Sequence, residues 1–203
     1  MHVVKHLLAC HKVQTQFRIV QKEGFQNLRD SIHGEVNVSG RGASGILADA
    51  NDNIGSRWQS ICDQLVRAGL DMPMRESPSP VVFSGPSGIR VGVWLMPDNQ
   101  HGGELEDVVH AMIPENDPML PRARRYINGI PEKDRKFANA KLTKAHVHAW
   151  LASCKRPRPM GTAISAGDLR HDVPITNAFV GWLRELFEFQ ATSRSSDIIS
   201  CSS

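Results

Sequence analysis

Hydrophobic residues along this chain recur with two spacings, and together they predict helices that alternate with short strands. Val3, Val4, Leu7 and Leu8 fall at helical spacing, so we predict an amphipathic helix at the start of the sequence. The same spacing recurs downstream. The predicted helices cover residues 1–12, a segment with Phe25, Leu28 and Ile32 on one side, and then 55–69, 105–113, 119–128, 133–153 and 175–189.

Four short apolar runs predict strands. The run at 45–49 is apolar up to its last residue, Asp49, and the run at 91–96 is continuously apolar; both are typical of parallel strands buried on both faces. The runs at 17–20 and 81–83 are shorter, and the second is predicted to lie at a sheet edge because prolines surround it. Strands that alternate with helices predict an α/β fold with a Rossmann-type, mostly parallel sheet flanked by helices, followed by a C-terminal helical part.

The length of 203 residues favours a single domain. We assign residues 1–115 to the α/β core and residues 116–189 to a helical C-terminal part of the same domain. Residues 190–203 are rich in serine and contain few apolar residues, so this tail is predicted to be disordered.

Composition and charge exclude some classes of protein. The formal net charge of +3 is too small to identify a nucleic-acid-binding protein by itself. No segment approaches the ~18 apolar residues that span a bilayer, and no secretory signal opens the sequence. The four cysteines are scattered and form no CxxC pair. These features predict a cytoplasmic protein with no membrane partner.

Basic residues are concentrated in the second half of the chain. Arg124, Arg125 and Lys136 belong to this concentration, and they predict a basic face that binds nucleic acid. The alternative is the solvated surface of ordinary helices, where charged residues are commonly interleaved.

Oxygen-bearing side chains cluster where the two buried strands end. The sequence Asp49-Ala-Asn-Asp52 follows the first of them, and Glu106 and Asp107 come soon after the second. Mg²⁺ prefers oxygen ligands, and metal-bound carboxylate sites support phosphodiester cleavage. The alternative is that Asp52 or a neighbour caps the next helix, while Glu106 and Asp107 offset a helix dipole.

Lys141 and Lys144 lie close to one turn apart on a predicted helix, where one of them is a candidate to stabilise phosphate charge in a transition state. The alternative is that both are ordinary surface lysines. The segment 40–45 matches the letters of a GxGxxG fingerprint, but it precedes a strand instead of following one. It therefore predicts a turn and disfavours a dinucleotide-binding protein.

Several segments in a fixed order resemble a bacterial family of unknown function, and the resemblance runs from Met1 to about Phe189. That family in turn resembles the Toprim domain of topoisomerases, primases and the overcoming-lysogenisation-defect nucleases. The segments are Gly45-Ile-Leu-Ala-Asp-Ala-Asn-Asp, Ser56-Arg-Trp-Gln-Ser, Gly92-Val-Trp-Leu-Met-Pro-Asp-Asn-Gln, Leu105-Glu-Asp, Lys144-Ala-His-Val-His-Ala-Trp-Leu-Ala and Ala166-Gly-Asp-Leu.

The Toprim resemblance implies a Mg²⁺ site and a role for particular residues. Asp49 matches the first Asp of the family's Asp-x-Asp pair, and Asn51 stands where the second is expected. This change removes one charge, which weakens Mg²⁺ binding unless Asp52 substitutes. Glu106 and Asp107 resemble the later acidic pair of the nuclease branch, and Lys144 resembles its late lysine, the implied catalytic residue.

The resemblance also implies a first strand ending in Glu-Gly, for which this sequence has no counterpart. In the Toprim order that strand lies inside the sheet, so its absence is expected to leave a gap. The expected function is Mg²⁺-dependent cleavage of nucleic acid, in phage defence or DNA processing. The alternative is a non-catalytic module that binds nucleic acid or a partner ATPase.

Overall fold

The two continuously apolar runs form neighbouring parallel strands, and helices pack on both of their faces. The computed structural model describes residues 2–13, 17–72, 81–85 and 88–187. The strands are β1 (Ala43–Asp49), β2 (Val81–Ser84) and β3 (Arg90–Met96). The α-helices are α1 (His2–Cys10), α2 (Phe25–Val36), α3 (Ile54–Arg67), α4 (Leu105–Ala111), α5 (Met119–Asn128), α6 (Leu142–Ser153), α7 (Met160–Ser165) and α8 (Pro174–Phe187).

The sheet has the order β1-β3-β2 among the described strands. β1 and β3 are parallel, with Asp49 opposite Met96, and β2 is antiparallel to β3. Alternate residues of β3 point to opposite faces. Trp94 packs with α1, α4 and α8, whereas Val93 packs with α2 and α3, so hydrophobic cores cover both faces of the central strand.

Two glycines allow α8 to pack closely on the sheet. Gly45 and Gly92 are opposite each other in the β1–β3 register. A Cβ atom on Gly92 would lie 2.9 Å from both Leu186 Cδ2 and Trp182 Nε1. The indole ring is buried in the core and has little room to move, so any side chain at this position would displace α8.

One edge of β1 is not paired to another described strand. Arg90 N–H donates to Gly42 C=O, and Ala50 N–H donates to Met96 C=O, so the even-numbered residues bond to β3. The backbone groups of Ala43, Gly45, Leu47 and Asp49 therefore face the other way. They border a cavity of about 840 Å³ that lies between α2 and α8.

The predicted elements are largely confirmed, with four differences. The helix predicted at 133–153 is wrong in its first part, because α6 begins at Leu142. Residues 132–141 form only two 3₁₀ turns, Glu132–Asp134 and Asn139–Lys141, neither of which has a buried residue. Such a segment lacks an apolar face to hold a helix against the core.

Residues 17–20 do not form the predicted strand; they line the same cavity as the free edge of β1 but belong to no described sheet. The sheet is mixed and not mostly parallel, because β2 runs against β3. The sequence analysis also missed α7. This helix has only six residues, too few for hydrophobic periodicity to reveal it. The tail predicted for 190–203 lies outside the described residues.

Substituting Gly92 tests the close packing of α8. We expect Gly92→Ala to lower the free energy of unfolding by about 1–3 kcal/mol, because the added methyl group overpacks a filled core. Gly181→Ala is the matched control, since a Cβ at this exposed position of α8 would contact nothing within 4 Å. It is expected to stabilise by about 0.5–1 kcal/mol. Equal effects in urea unfolding would contradict this account.

Candidate functional site

The candidate site forms where β1 and β3 end at the same edge of the sheet. The loop after β1 is tied to the loop after β3 by two backbone hydrogen bonds of 2.8 Å, from Asn51 N–H to Gly103 C=O and from Gly103 N–H to Asn51 C=O. Asn51 adopts a left-handed conformation with φ of 51°. Gly102 allows the close approach, because a Cβ there would lie 2.5 Å from the Asn51 carbonyl oxygen.

This bridge places the start of α4 beside the end of β1. Asp49 Oδ1 accepts a hydrogen bond of 3.1 Å from the backbone N–H of Leu105. Asp107 Oδ2 accepts one of 2.7 Å from the backbone N–H of Glu104, completing a capping box. Both carboxylates thus bind backbone N–H groups at the helix N-terminus, where negative charge is favourable.

Two nearly buried glutamates face two lysines at this helix end. Glu104 is 9% exposed and Glu106 is 6% exposed. Lys141 forms an ion pair with Glu104, and Lys144 Nζ lies 2.7 Å from Glu106 Oε1 and 3.9 Å from Glu104 Oε2. We call Asp49, Glu104, Glu106, Lys141 and Lys144 the carboxylate–lysine cluster. Both lysine side chains remain more than 40% exposed, so their ammonium groups are accessible from solvent.

Asn51 and Arg57 hold Glu104 in place. The Asn51 amide satisfies both neighbours when its nitrogen lies 2.9 Å from Glu104 Oε1 and its oxygen lies 2.6 Å from Arg57 Nη2. Arg57 itself lies over the Phe25 ring, with its guanidinium carbon 3.8 Å from the ring centre. Asn51 therefore positions a carboxylate in this chain.

The electrostatic environment makes Asp49 harder to ionise. Burial and then repulsion from Glu106 raise the pKa of its carboxyl group, although the Leu105 N–H and the two lysines act in the other direction. Part of the residue faces the open cavity, so water moderates this effect. Burial likewise raises the pKa of Asp107, against the hydrogen bond from Thr143.

Oxygen donors for Mg²⁺ are present, but in the described residues no three acidic, histidine or cysteine side chains surround a single point closely enough to hold a metal ion. Asp49, Glu104 and Glu106 have the right chemistry for a hard cation. The two lysines occupy the space beside the glutamates. A metal would have to displace at least one ammonium group, and that requirement limits its affinity.

The structure separates the other predicted metal ligands from this cluster. Asp107 caps α4 by accepting from the backbone N–H of Glu104, and it lies in the first turn of the helix, where the alternative interpretation placed it. Asp52 is exposed, and the N-terminus of α3 is capped by its neighbour Asn53, whose Oδ1 accepts from the Ser56 N–H at 2.9 Å. Asn51 contacts the cluster through Glu104, as described above.

The predicted basic residues lie beyond the cluster, on and after α5. Arg124 donates to His110 Nε2 at 2.7 Å, and His110 is one turn beyond Glu106 on α4. Burial and the neighbouring Arg124 lower the pKa of His110, so its Nε2 accepts this hydrogen bond at neutral pH. Arg125 and Lys136 are exposed, and neither contacts the cluster.

The sequence analysis missed Glu104 and Arg57, and it named Lys141 only as an alternative to Lys144. The sequence could have predicted a role for Glu104, because Glu-x-x-Asp before an apolar helix is a capping-box pattern. This pattern places a carboxylate at the end of the loop that follows β3. No sequence signal indicates that Arg57 contacts Asn51. His148 Nε2 lies 3.9 Å from Glu106, whereas His146 points away to Asn128, so these two histidines face different directions.

The fold and the cluster together define an α/β protein with an acidic site, partly neutralised by lysines, at the carboxyl ends of two parallel strands. Comparison with known families identifies it further. The sequence model of the family described as "protein of unknown function (DUF3226)" matches residues 1–188, so the chain belongs to that family. No curated protein and no solved structure matches it significantly. Within the described residues, no helix has the length and apolar character needed to cross a membrane.

Replacing Asp49 with a neutral residue tests whether its carboxylate destabilises the folded state. Because the pKa is raised on folding, the carboxylate destabilises the folded state above the unfolded value near 3.8. We expect Asp49→Asn to unfold at a higher temperature than the unmodified protein at neutral pH, and this difference should disappear as the pH falls below that value. Thermal unfolding followed by circular dichroism across pH measures it.

Asp98→Asn is the matched control. Burial acts to raise the pKa of Asp98, but hydrogen bonds from the side chain and backbone of His101 and from the Gln100 backbone outweigh it and lower the pKa. This carboxylate therefore stabilises the fold above its unfolded pKa, and its removal should lower the unfolding temperature at neutral pH. Destabilisation by both substitutions would show that the Asp49 carboxylate is an ordinary structural cap.

Proposed function

We propose that this protein cleaves phosphodiester bonds in nucleic acid with the help of Mg²⁺, and that the carboxylate–lysine cluster is its active site. One observation carries the proposal: an aspartate from the end of β1 meets two nearly buried glutamates from the segment after β3, together with two accessible lysines. Carboxylates and ammonium groups of this kind serve phosphoryl chemistry.

Each residue of the cluster has a role in this proposal. Asp49, Glu104 and Glu106 provide the oxygen ligands, and bound Mg²⁺ would activate water and stabilise the leaving oxygen. Lys141 and Lys144 neutralise the glutamates in the absence of metal. When a phosphate approaches, their ammonium groups are available to its oxygens, and Lys144 remains the favoured catalytic residue.

The burial of the glutamates supports a functional reading over a purely structural one. Burying a carboxylate costs desolvation energy, and an ion pair with a half-exposed lysine is weak evidence of a stabilising role. Asp49 adds a further cost, because its pKa is raised by burial and by Glu106. Charges held at such a cost near strand ends are typical of functional sites.

The Toprim-like relationship is part of the same proposal. It is supported by the parallel β1–β3 pair, by Asp49 at the end of β1 and by Glu106 in the first turn of α4. Under this reading the chain has Asn51 in place of the second Asp, and Glu104 supplies the missing carboxylate. The biological setting that we propose is phage defence or DNA processing.

Substitution of Glu106 tests the proposed activity. We expect Mg²⁺- or Mn²⁺-dependent cleavage of DNA or RNA, assayed on single-stranded and duplex substrates, and we expect Glu106→Gln to abolish it. Lys144→Ala should reduce the rate about a hundredfold or more through loss of electrostatic stabilisation. Asp52→Asn is the matched control, since this exposed carboxylate lies outside the cluster and its loss should leave the rate unchanged.

Two results would overturn the proposal. One is the absence of metal-dependent cleavage on every substrate class. The other is an equal rate in the unmodified protein and in Glu106→Gln, which would mean that a contaminant or another site is responsible. Unfolding temperatures measured alongside identify any variant that has lost its fold.

The non-catalytic alternative rests on a different observation. Arg125 and Lys136 are exposed, and neither has a carboxylate within ion-pair distance in the described residues, while Arg124 is held only by the neutral His110. A module that binds nucleic acid through these residues would lose binding on charge reversal at Arg124, Arg125 and Lys136 and would keep it in Asp49→Ala. Binding that does not weaken with salt would instead favour a protein partner such as an ATPase.

A further inference from the structure

Tyr126 is the most exposed large hydrophobic side chain in the described residues. It is the single tyrosine of the chain, and 69% of its surface is accessible to solvent. All four tryptophans are buried, and the described phenylalanines are buried or partly buried. Aromatic side chains normally bury much of their surface, so an exposed ring on a well-formed helix is an unusual feature.

The surroundings of Tyr126 are basic. Helix α5 turns Ala123 and Ile127 toward the core. Arg122 precedes Tyr126 by one turn and Arg125 adjoins it, and all three side chains are exposed. The helix sequence contains no acidic residue. We call these three residues the α5 platform.

The two arginines of the α5 platform are not neutralised by the part of the chain that the structure describes. Arg122 contacts only the sulfur of Met119, at 3.7 Å, and Arg125 has no hydrogen-bond or ion-pair partner there. The acid nearest in sequence before α5, Asp117, accepts hydrogen bonds from the backbone of Met119 and Leu120 and from the Trp150 indole. The platform therefore combines uncompensated positive charge with a flat aromatic face.

We infer that the α5 platform binds single-stranded nucleic acid, with Tyr126 stacking on an unpaired base and Arg122 and Arg125 contacting the flanking phosphates. The positive charge of the platform favours binding of a polyanion, and the aromatic ring favours a partner with accessible planar faces. Single-stranded nucleic acid has both phosphate charge and unpaired bases, whereas duplex bases are stacked on each other and hide their faces.

Other residues of α5 contact the two helices that carry cluster residues. Arg124, between the two platform arginines along α5, donates to His110 on α4, and Glu106 lies one turn before His110. Asn128, at the end of α5, contacts His146 on α6, the helix that carries Lys144. A strand bound on α5 thus lies on helices that pack around the cluster. The inference rests on the proposed function and adds to it a substrate class, single-stranded nucleic acid.

Binding in the absence of metal tests the inference separately from catalysis. The probes are a fluorescent oligothymidylate and a duplex of equal length, titrated by anisotropy in buffer with a chelator, so that no metal-dependent cleavage occurs. We expect the single strand to bind more tightly. Tyr126→Ala should weaken its binding about tenfold, the scale of one lost base stack, and Tyr126→Phe should retain it.

Arginine substitutions give a second readout. Arg122→Gln and Arg125→Gln should each weaken binding and lower the slope of log affinity against log salt by about one. Arg67→Gln on α3 is the matched control, because it removes an equally exposed arginine far along the chain from the platform. This substitution should leave both the affinity and the salt slope unchanged, apart from the small effect of one lost charge.

Three outcomes would overturn the inference: equal affinity for single strand and duplex, no loss of binding in Tyr126→Ala, or stronger binding to an acidic peptide such as polyglutamate than to the oligonucleotide. Failure of the proposed function looks different. Tyr126-dependent binding without cleavage would remove the catalytic proposal and leave the platform. Cleavage that depends on Glu106, with full single-strand binding in Tyr126→Ala, would remove the platform and leave the catalytic proposal.

Discussion

The pair of backbone hydrogen bonds between Asn51 and Gly103 is the contact on which the candidate site depends. It joins two loops that leave adjacent parallel strands, and it brings the start of α4 against the end of β1. Asp49 and the two glutamates come from different parts of the chain, and this contact makes them neighbours. The left-handed backbone of Asn51 and the absence of a Cβ at Gly102 are its structural requirements.

Acidic residues at a helix N-terminus can cap the helix or form ion pairs, and both kinds of contact occur around the start of α4. Asp107 and Asn53 cap helices, and Asp49 also binds a backbone N–H. Glu104 and Glu106 also face lysines, with Lys141 just before α6 and Lys144 in its first turn. Glu104 belongs to the capping box of α4, whereas the burial of Glu106 beside Lys144 is not explained by capping, because Asp49 and Asp107 bind the backbone N–H groups of Leu105 and Glu104.

Local patterns predicted much of the fold and part of the site. The apolar runs of β1 and β3 placed Asp49 and Glu106 correctly, because parallel strands end at one edge. The prediction of a helix from 133 failed since its charged residues have no core to pack against, and the strand predicted at 17–20 has no described partner. The contacts of Glu104 with Lys141 and of Arg57 with Asn51 join residues far apart in sequence, and no local pattern encodes them. The Toprim-like relationship and the metal stay predictions.

The unpaired edge of β1 has a consequence for the site at its end. β1 is bonded to a described strand on one side only, so its backbone opens by breaking one ladder of hydrogen bonds, while β3 is held on both sides. Asp49 is therefore carried by the less restrained of the two strands, and the Leu105 N–H is what ties its carboxylate to α4. Asp49 thus ends the strand that is bonded on one side only, whereas the glutamates follow the strand that is bonded on both.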